Sequence, residues 1–81
     1  MSVDGDQPGV MSTGERLVYM ANQIARNFAA EGEDRAAAMV ADHIQLYWHP
    51  RMRARIASLA IEQPGALSPI AARAIARIGG S

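Results

Sequence analysis

The chain has 81 residues, the length of one small domain, and its formal net charge is zero. It contains no cysteine, which excludes disulfide bonds, thiolate metal sites and cysteine-ligated iron–sulfur clusters. No apolar run approaches the ~20 residues that span a bilayer, and Asp4 and Asp6 near the N-terminus are not typical of a signal peptide. We therefore expect a cytoplasmic protein.

The charges are unevenly distributed along the chain. Residues 1–42 contain seven acids and three arginines, a net charge of −4, whereas residues 43–81 contain five arginines and one acid, a net charge of +4. A dipolar surface of this kind favours docking in one orientation onto a charged partner. It differs from the uniformly basic surface of a nucleic-acid-binding protein.

The first predicted helix follows a tail. Residues 1–11 are polar and contain glycine and proline, so they are predicted to be flexible. Ser12 followed by Glu15 predicts a capping box at the start of a helical domain that comprises residues 12–79. Gly32 is expected to end the helix. The apolar residues that recur on one face of this helix are Leu17, Met20, Ala21, Ile24 and Phe28.

The second helix is predicted over residues 34–48, with Asp34 near the N-cap. Three further apolar residues, Met39, Leu46 and Tyr47, widen its apolar arc beyond what a half-exposed helix needs. This excess predicts a second apolar face that a partner covers. The residues of the core stripe are Ala37, Val40, Ala41, Ile44 and Trp48.

Prolines divide the rest of the chain into two further helices. Pro50 is suited to the first position of a third helix with His49 as its cap, and Ser68 followed by Pro69 begins a fourth by the same pattern. Ile61 is predicted on the side of the third helix opposite to Met52. Because no stretch alternates with a period of two, the fold class is all-α, a small compact bundle of about four short helices. The predicted inward-facing residues are Met52, Ile56, Leu59, Ile70, Ala74, Ile75 and Ile78.

The sequence predicts no catalytic, cofactor-binding or metal-binding residue. Its serines are interpreted as caps or surface residues, and none is spaced with a histidine and an acid so as to suggest a nucleophilic site. Asp42, His43 and His49 are the only candidate metal ligands, but they do not share one helical face. We therefore do not expect this chain to be an enzyme by itself.

Residues 41–55 instead indicate binding to another protein, because they hold the only Trp, one of two Tyr, both His and three of eight Arg. Apolar and aromatic residues with arginines at their rim are typical of a protein interface. For Trp48 the alternative is a place in the core. The predicted interface comprises Met39, Leu46, Tyr47, Trp48, Arg51, Met52, Arg53 and Arg55.

A second function stays open, that of a small helical regulatory adaptor or DNA-associated factor. Arg51, Arg53 and Arg55 are placed where they could contact phosphates if the short helices formed a helix-turn-helix. Against this interpretation, the second and third helices meet at a proline and the net charge is zero. Binding to duplex DNA that weakens steeply with added salt would favour it.

Several strings resemble one family. Residues 15–25, which include M-A-N-Q-I-A, and residues 27–28 are similar to the opening helix of the delta subunit of NAD-dependent, molybdenum-containing formate dehydrogenases. Residues 41–44 and 47–53, which include W-x-P-R-M-R, and residues 67–70 resemble later parts of the same family. The resemblance extends over residues 15–78, nearly all of the predicted helical domain.

The resemblance implies an accessory subunit of a cytoplasmic complex that oxidises formate to carbon dioxide and reduces NAD. In such a complex the alpha subunit carries bis-molybdopterin guanine dinucleotide and iron–sulfur clusters, and beta and gamma subunits carry FMN and further clusters. The delta chain is expected to bind none of these groups. Its expected partner is the alpha subunit, which it would stabilise or help to mature, and no nucleic acid or membrane is expected.

Overall fold

A computed structural model describes residues 11–79, and this part of the chain contains helices and no strand. The predicted all-α fold with four short helices is confirmed. The predicted flexible tail lies outside the described residues except for Met11, which precedes the first helix. In chain order the elements are α1 (Thr13–Phe28), a 3-10 turn (Ala29–Glu31), α2 (Glu33–Tyr47), α3 (Pro50–Glu62), a second 3-10 turn (Pro64–Ala66) and α4 (Pro69–Gly79).

Side-chain caps begin three of the helices where the sequence predicts them. The Ser12 hydroxyl accepts a hydrogen bond from the Glu15 backbone N–H at 3.1 Å, and the Glu15 carboxylate accepts one from the Ser12 N–H at 2.9 Å, which completes the capping box of α1. His49 caps α3, and the Ser68 hydroxyl accepts from the Ala71 N–H at 3.3 Å in α4. Each cap satisfies a backbone donor that the first turn of a helix leaves without a partner.

Helix α2 begins at Glu33 with Gly32 as its N-cap, so Asp34 lies near the N-cap, as predicted. Gly32 has φ of +94°, a conformation that a residue with a side chain rarely adopts, and it lets the chain reverse direction between the 3-10 turn and α2. Glu33 and Asp34 therefore lie inside the first turn, where negative charge stabilises the helix dipole.

The core lies between α2 and α4 and is completed by α1 and α3. Helix α2 packs most extensively against α4, and both helices bury alanines, Ala37 and Ala41 on α2 and Ala71 and Ala74 on α4. Small side chains let two helix axes approach closely, so the alanine-rich composition explains this pairing. The larger buried residues are Leu17, Val40, Ile44, Trp48, Ile56, Leu59, Leu67 and Ile75.

Candidate partner interface

Helix α2 carries a second apolar surface beside the stripe that faces the core. We call it the outer face of α2 and define it as Met39, His43, Leu46 and Tyr47, whose spacing of four, three and one places them along one side of a helix. Leu46 is 75% exposed and Tyr47 is 72% exposed, whereas Met39 and His43 are half-buried. Leu46 and Tyr47 are among the most exposed large apolar side chains of the described chain.

The aromatic rings on this face are in contact. The ring centroids of His43 and Tyr47 lie 4.9 Å apart, with the planes tilted by 49°. A tilted arrangement at this distance is one that aromatic pairs favour. The contact holds the exposed Tyr47 ring against its own helix, so the outer face presents a partly ordered aromatic surface.

Trp48 lies in the core, one of the two locations that the sequence leaves open for it. It is 5% exposed and belongs to the same hydrophobic cluster as Ile44 and Ile56. Its backbone leaves the helical conformation and its N–H still donates to the Ile44 carbonyl at 2.9 Å, so it ends α2 while its indole enters the core. The free chain therefore does not present Trp48 as an exposed anchor.

The corner between α2 and α3 is held by two local hydrogen bonds. The His49 Nδ1 atom accepts from the Arg51 N–H at 3.2 Å, as predicted for a cap, and Pro50 occupies the first position of α3. The Arg53 guanidinium donates through Nη1 to the Trp48 carbonyl at 2.8 Å. These contacts fix the direction in which α3 leaves the outer face of α2.

Three arginines follow this corner, and we call Arg51, Arg53 and Arg55 the α3 arginines. Arg51 and Arg55 are exposed and Arg53 is half-buried. None of the ion pairs within residues 11–79 involves any of the three. Their charges are thus available to carboxylates of another molecule, with which arginine forms two parallel hydrogen bonds.

Arg73 on α4 is a contrasting case, because its charge is neutralised within the chain. Its guanidinium donates to Asp34 and, at 3.1 Å, to Glu33 in the first turn of α2. The hydrogen bond to Asp34, followed by the one to Glu33, raises the pKa of Arg73 above its ordinary value. Part of the positive charge of residues 43–81 therefore serves the fold and is not offered to a partner.

The eight predicted interface residues are divided by the structure into three groups. Four are exposed, three are half-buried, and Trp48 is in the core. Met52, one of the half-buried residues, packs against the core cluster. Whether any of them contacts a partner stays a prediction. The exposed residues are Leu46, Tyr47, Arg51 and Arg55, and the half-buried ones are Met39, Met52 and Arg53.

Asn22 on α1 has a structural role that the sequence reasoning missed. Its amide donates through Nδ2 to the Ala66 carbonyl at 3.0 Å, and its Oδ1 accepts from the Ser68 N–H at 2.8 Å. It therefore holds the 3-10 turn that precedes α4 against α1. The available signal was an asparagine next to the core position Ala21, since a polar residue there needs hydrogen-bonding partners.

The described residues offer no alternative site for a metal. Within 11–79 no group of three or more His, Cys, Asp or Glu side chains is arranged to bind an ion. In the same part of the chain no helix is both long enough and apolar enough to cross a bilayer.

The comparisons with known proteins agree with the resemblance noted in the sequence. A family model described as NADH-dependent formate dehydrogenase delta subunit, FdsD, matches residues 16–75, which run from α1 to α4 and include the outer face of α2. No curated protein and no solved structure matches the chain. Because the family model covers most of the chain, we conclude that the chain belongs to the family of delta subunits of NADH-dependent formate dehydrogenases.

Proposed function

We propose that this chain is a non-catalytic accessory subunit that docks onto the molybdenum-cofactor-bearing alpha subunit of a cytoplasmic NAD-dependent formate dehydrogenase. The complex, which also contains beta and gamma subunits, oxidises formate to carbon dioxide and reduces NAD. Membership of the delta-subunit family supports this proposal. The absence of cysteine supports the assignment of cysteine-ligated iron–sulfur clusters to the other subunits, and FMN and bis-molybdopterin guanine dinucleotide are proposed to lie there too.

The observation that carries the docking proposal is the exposed outer face of α2. Leu46 and Tyr47 are each more than two-thirds exposed, although nothing in a helix requires large apolar groups there. A partner that covers them removes apolar surface from water, which is the main favourable term in association. Arg51 and Arg55 on α3 are exposed and without ion pairs in the described chain, and their charges suit carboxylates of a partner.

The proposed role is stabilisation or maturation of the alpha subunit. A chain that binds only the folded, cofactor-loaded form of its partner increases the population of that form by mass action. Such a role requires a binding surface and no reacting group.

The experiment that tests this function is affinity purification of the tagged chain from its own cytoplasm, with mass spectrometry of the proteins recovered. We expect the alpha subunit of a formate dehydrogenase at near-equal stoichiometry. Recovery of alpha only in small, immature amounts would indicate an assembly chaperone. Complete absence of alpha would contradict the proposal and leave the adaptor or DNA-associated function, which a salt series of duplex-DNA binding then tests.

A matched pair of arginine variants tests the contribution of Arg51. Arg51→Ala is expected to weaken association with alpha by about 2 kcal/mol, as for an interface anchor. Arg26→Ala is the control, because Arg26 is also exposed and helical but lies on α1. Equal affinity of the two variants would remove Arg51 from the interface.

A further inference from the structure

A groove lies between α1 and the start of α4, apart from the outer face of α2. Its volume is about 690 Å³, within the range of ~300–1,000 Å³ that is usual for binding pockets. One wall is the side of α1 that carries Asn22 and Arg26, and the other is formed by the 3-10 turn before α4 and the first residues of that helix. We call it the α1–α4 groove. Its apolar lining comprises Ala25, Ala29, Ala66, Leu67, Pro69 and Ile70.

Three of the four polar side chains that line the groove have partners within the chain. The Asn22 amide donates to the Ala66 carbonyl and accepts from the Ser68 N–H. The Ser68 hydroxyl caps α4. The Glu33 carboxylate is paired with Arg73 at 3.1 Å. These three side chains therefore hold the fold together and are already satisfied without a bound molecule.

Arg26 is the fourth polar side chain, and its charge has no partner within residues 11–79. It is exposed, it lies one turn after Asn22 on the same side of α1, and none of the ion pairs of the described chain involves it. A guanidinium presents five N–H donors and no acceptor, and a planar carboxylate is the group that it binds through two parallel hydrogen bonds. The groove therefore combines an apolar lining with one unsatisfied group, which is a cation.

We propose that the α1–α4 groove binds a segment of a second protein, other than the alpha subunit, in which a carboxylate lies next to a large apolar side chain. The apolar side chain packs on the alanine-rich lining and the carboxylate pairs with Arg26. The groove shares no residue with the outer face of α2 or with the α3 arginines. A chain that docks on the alpha subunit through those surfaces thus leaves the groove open, and it joins the alpha subunit to the second protein.

The lining requires both features of the segment. An apolar side chain that enters the groove removes the exposed Pro69 and the half-buried Ile70 from water. A carboxylate without that apolar contact would gain little, because an isolated ion pair at the surface contributes little to affinity. An apolar segment without an acid would shield the Arg26 guanidinium from water and offer it no partner, which opposes binding.

The same lining does not favour a nucleic acid as the occupant. Proteins that bind nucleic acids contact the phosphates through several clustered cations. Arg26 is the only basic residue that lines the groove. One cation beside six apolar residues matches a protein segment better than a phosphate backbone.

The test is photo-crosslinking in cells that contain the full-length chain and its natural partners. Ala66→p-benzoylphenylalanine places the probe at an exposed position in the wall of the groove. Ala30→p-benzoylphenylalanine, at an exposed position outside the groove, is the matched control. We expect several-fold more adduct from position 66. Mass spectrometry should locate it in a segment that holds Asp or Glu beside a large apolar residue, in a protein other than the alpha subunit.

Charge reversal tests whether Arg26 recognises that segment. Adding Arg26→Glu should reduce the adduct several-fold, whereas adding Arg16→Glu, at an exposed arginine of α1 outside the groove, should not. Replacing the mapped carboxylate of the second protein by arginine should then restore the adduct of the Arg26→Glu variant. A loss of adduct caused only by damage to the fold would not be restored in this way.

Several outcomes would overturn the proposal. They are an adduct at position 66 no stronger than at position 30, an adduct to the alpha subunit, to a second copy of this chain or to nucleic acid, an adduct to a segment without an acid, and an adduct that persists in the Arg26→Glu variant. The result is independent of the purification experiment above. Recovery of the alpha subunit with no segment in the groove would leave the proposed function intact and refute this inference alone.

Discussion

The two apolar faces of α2 belong to one helix and yet differ in their surroundings. The core face, represented by Val40, Ile44 and Trp48, is buried against the other helices, whereas Leu46 and Tyr47 on the outer face are exposed. Helix propensity and local sequence do not distinguish them, because both faces have helical spacing. The difference shows that folding this small domain requires only one of the two faces. The other stays exposed in the described chain.

The largest expected effect comes from truncating the core face. Ile44→Ala should lower the free energy of unfolding by roughly 2–5 kcal/mol, because Ile44 is fully buried and its loss leaves a cavity. Leu46→Ala, two positions later, should change the free energy of unfolding by no more than about 0.5 kcal/mol. Urea denaturation followed by circular dichroism measures both values. Similar losses for the two variants would show that the outer face also contributes to folding.

The second effect concerns binding to the alpha subunit, for which the outer face is expected to matter more than the core face. Tyr47→Ala should leave the stability of the free chain nearly unchanged but weaken binding to the alpha subunit by about 2 kcal/mol, because it removes an exposed aromatic anchor. Calorimetric titration of the purified subunits measures the loss. Tyr19→Ala on α1 is the matched control, since Tyr19 is also exposed, at 52%.

Equal binding of the Tyr47→Ala and Tyr19→Ala variants would remove Tyr47 from the interface. Trp48→Ala is unsuitable for this purpose. Because Trp48 lies in the core, its loss lowers stability whether or not it also contacts a partner.

A smaller effect concerns how the turn before α4 is held against α1. Asn22→Ala removes the two hydrogen bonds to the turn before α4 and leaves the Ser68 N–H and the Ala66 carbonyl to find other partners. We expect the free energy of unfolding to fall by about 1–3 kcal/mol. Asn27→Ala, an exposed position on the same helix, should have little effect. Hydrogen exchange of residues 66–71 should accelerate in the Asn22 variant only.

The smallest effect is expected at Arg73. Arg73→Ala removes an exposed contact between α4 and the first turn of α2, and such contacts contribute little and are screened by salt. The thermal midpoint should fall slightly at low ionic strength and match the unmodified chain at high salt. A loss that persists at high salt would mean that Arg73 contributes through packing and not through charge.

The pH dependence of the Arg73 contact follows from its raised pKa. A group whose pKa is raised in the folded chain contributes stability that is complete below its unfolded pKa and is lost as pH rises through the folded value. For an arginine both values lie far above neutrality, so titration of Arg73 should cause no change in stability across the neutral and moderately alkaline range. If the difference in stability between the unmodified chain and Arg73→Ala varied with pH across this range, it would contradict the prediction that Arg73 stays charged there.

The sequence by itself determined the helices and most of their ends. Residues within one or two turns of each other decide these features, so the Ser12 capping box, the His49 cap with Pro50, and the Ser68 cap all lie where local spacing predicts them. At the start of α2 the sequence predicts Asp34 near the N-cap but does not identify the N-cap itself, which is Gly32. There Gly32, whose φ is positive, begins the helix earlier than side-chain chemistry alone indicates.

Only the tertiary structure decided how the large apolar residues of α2 and α3 are divided between core and surface. Periodicity identified a widened apolar arc on α2 but left Trp48 between core and interface, because this depends on how the helices pack together. In the folded chain Trp48 is buried in the core, while Leu46, Tyr47 and Ile61 are exposed, in agreement with their predicted positions outside the core stripes. The contacts of Asn22 join residues far apart in the chain, and only folding brings such residues together.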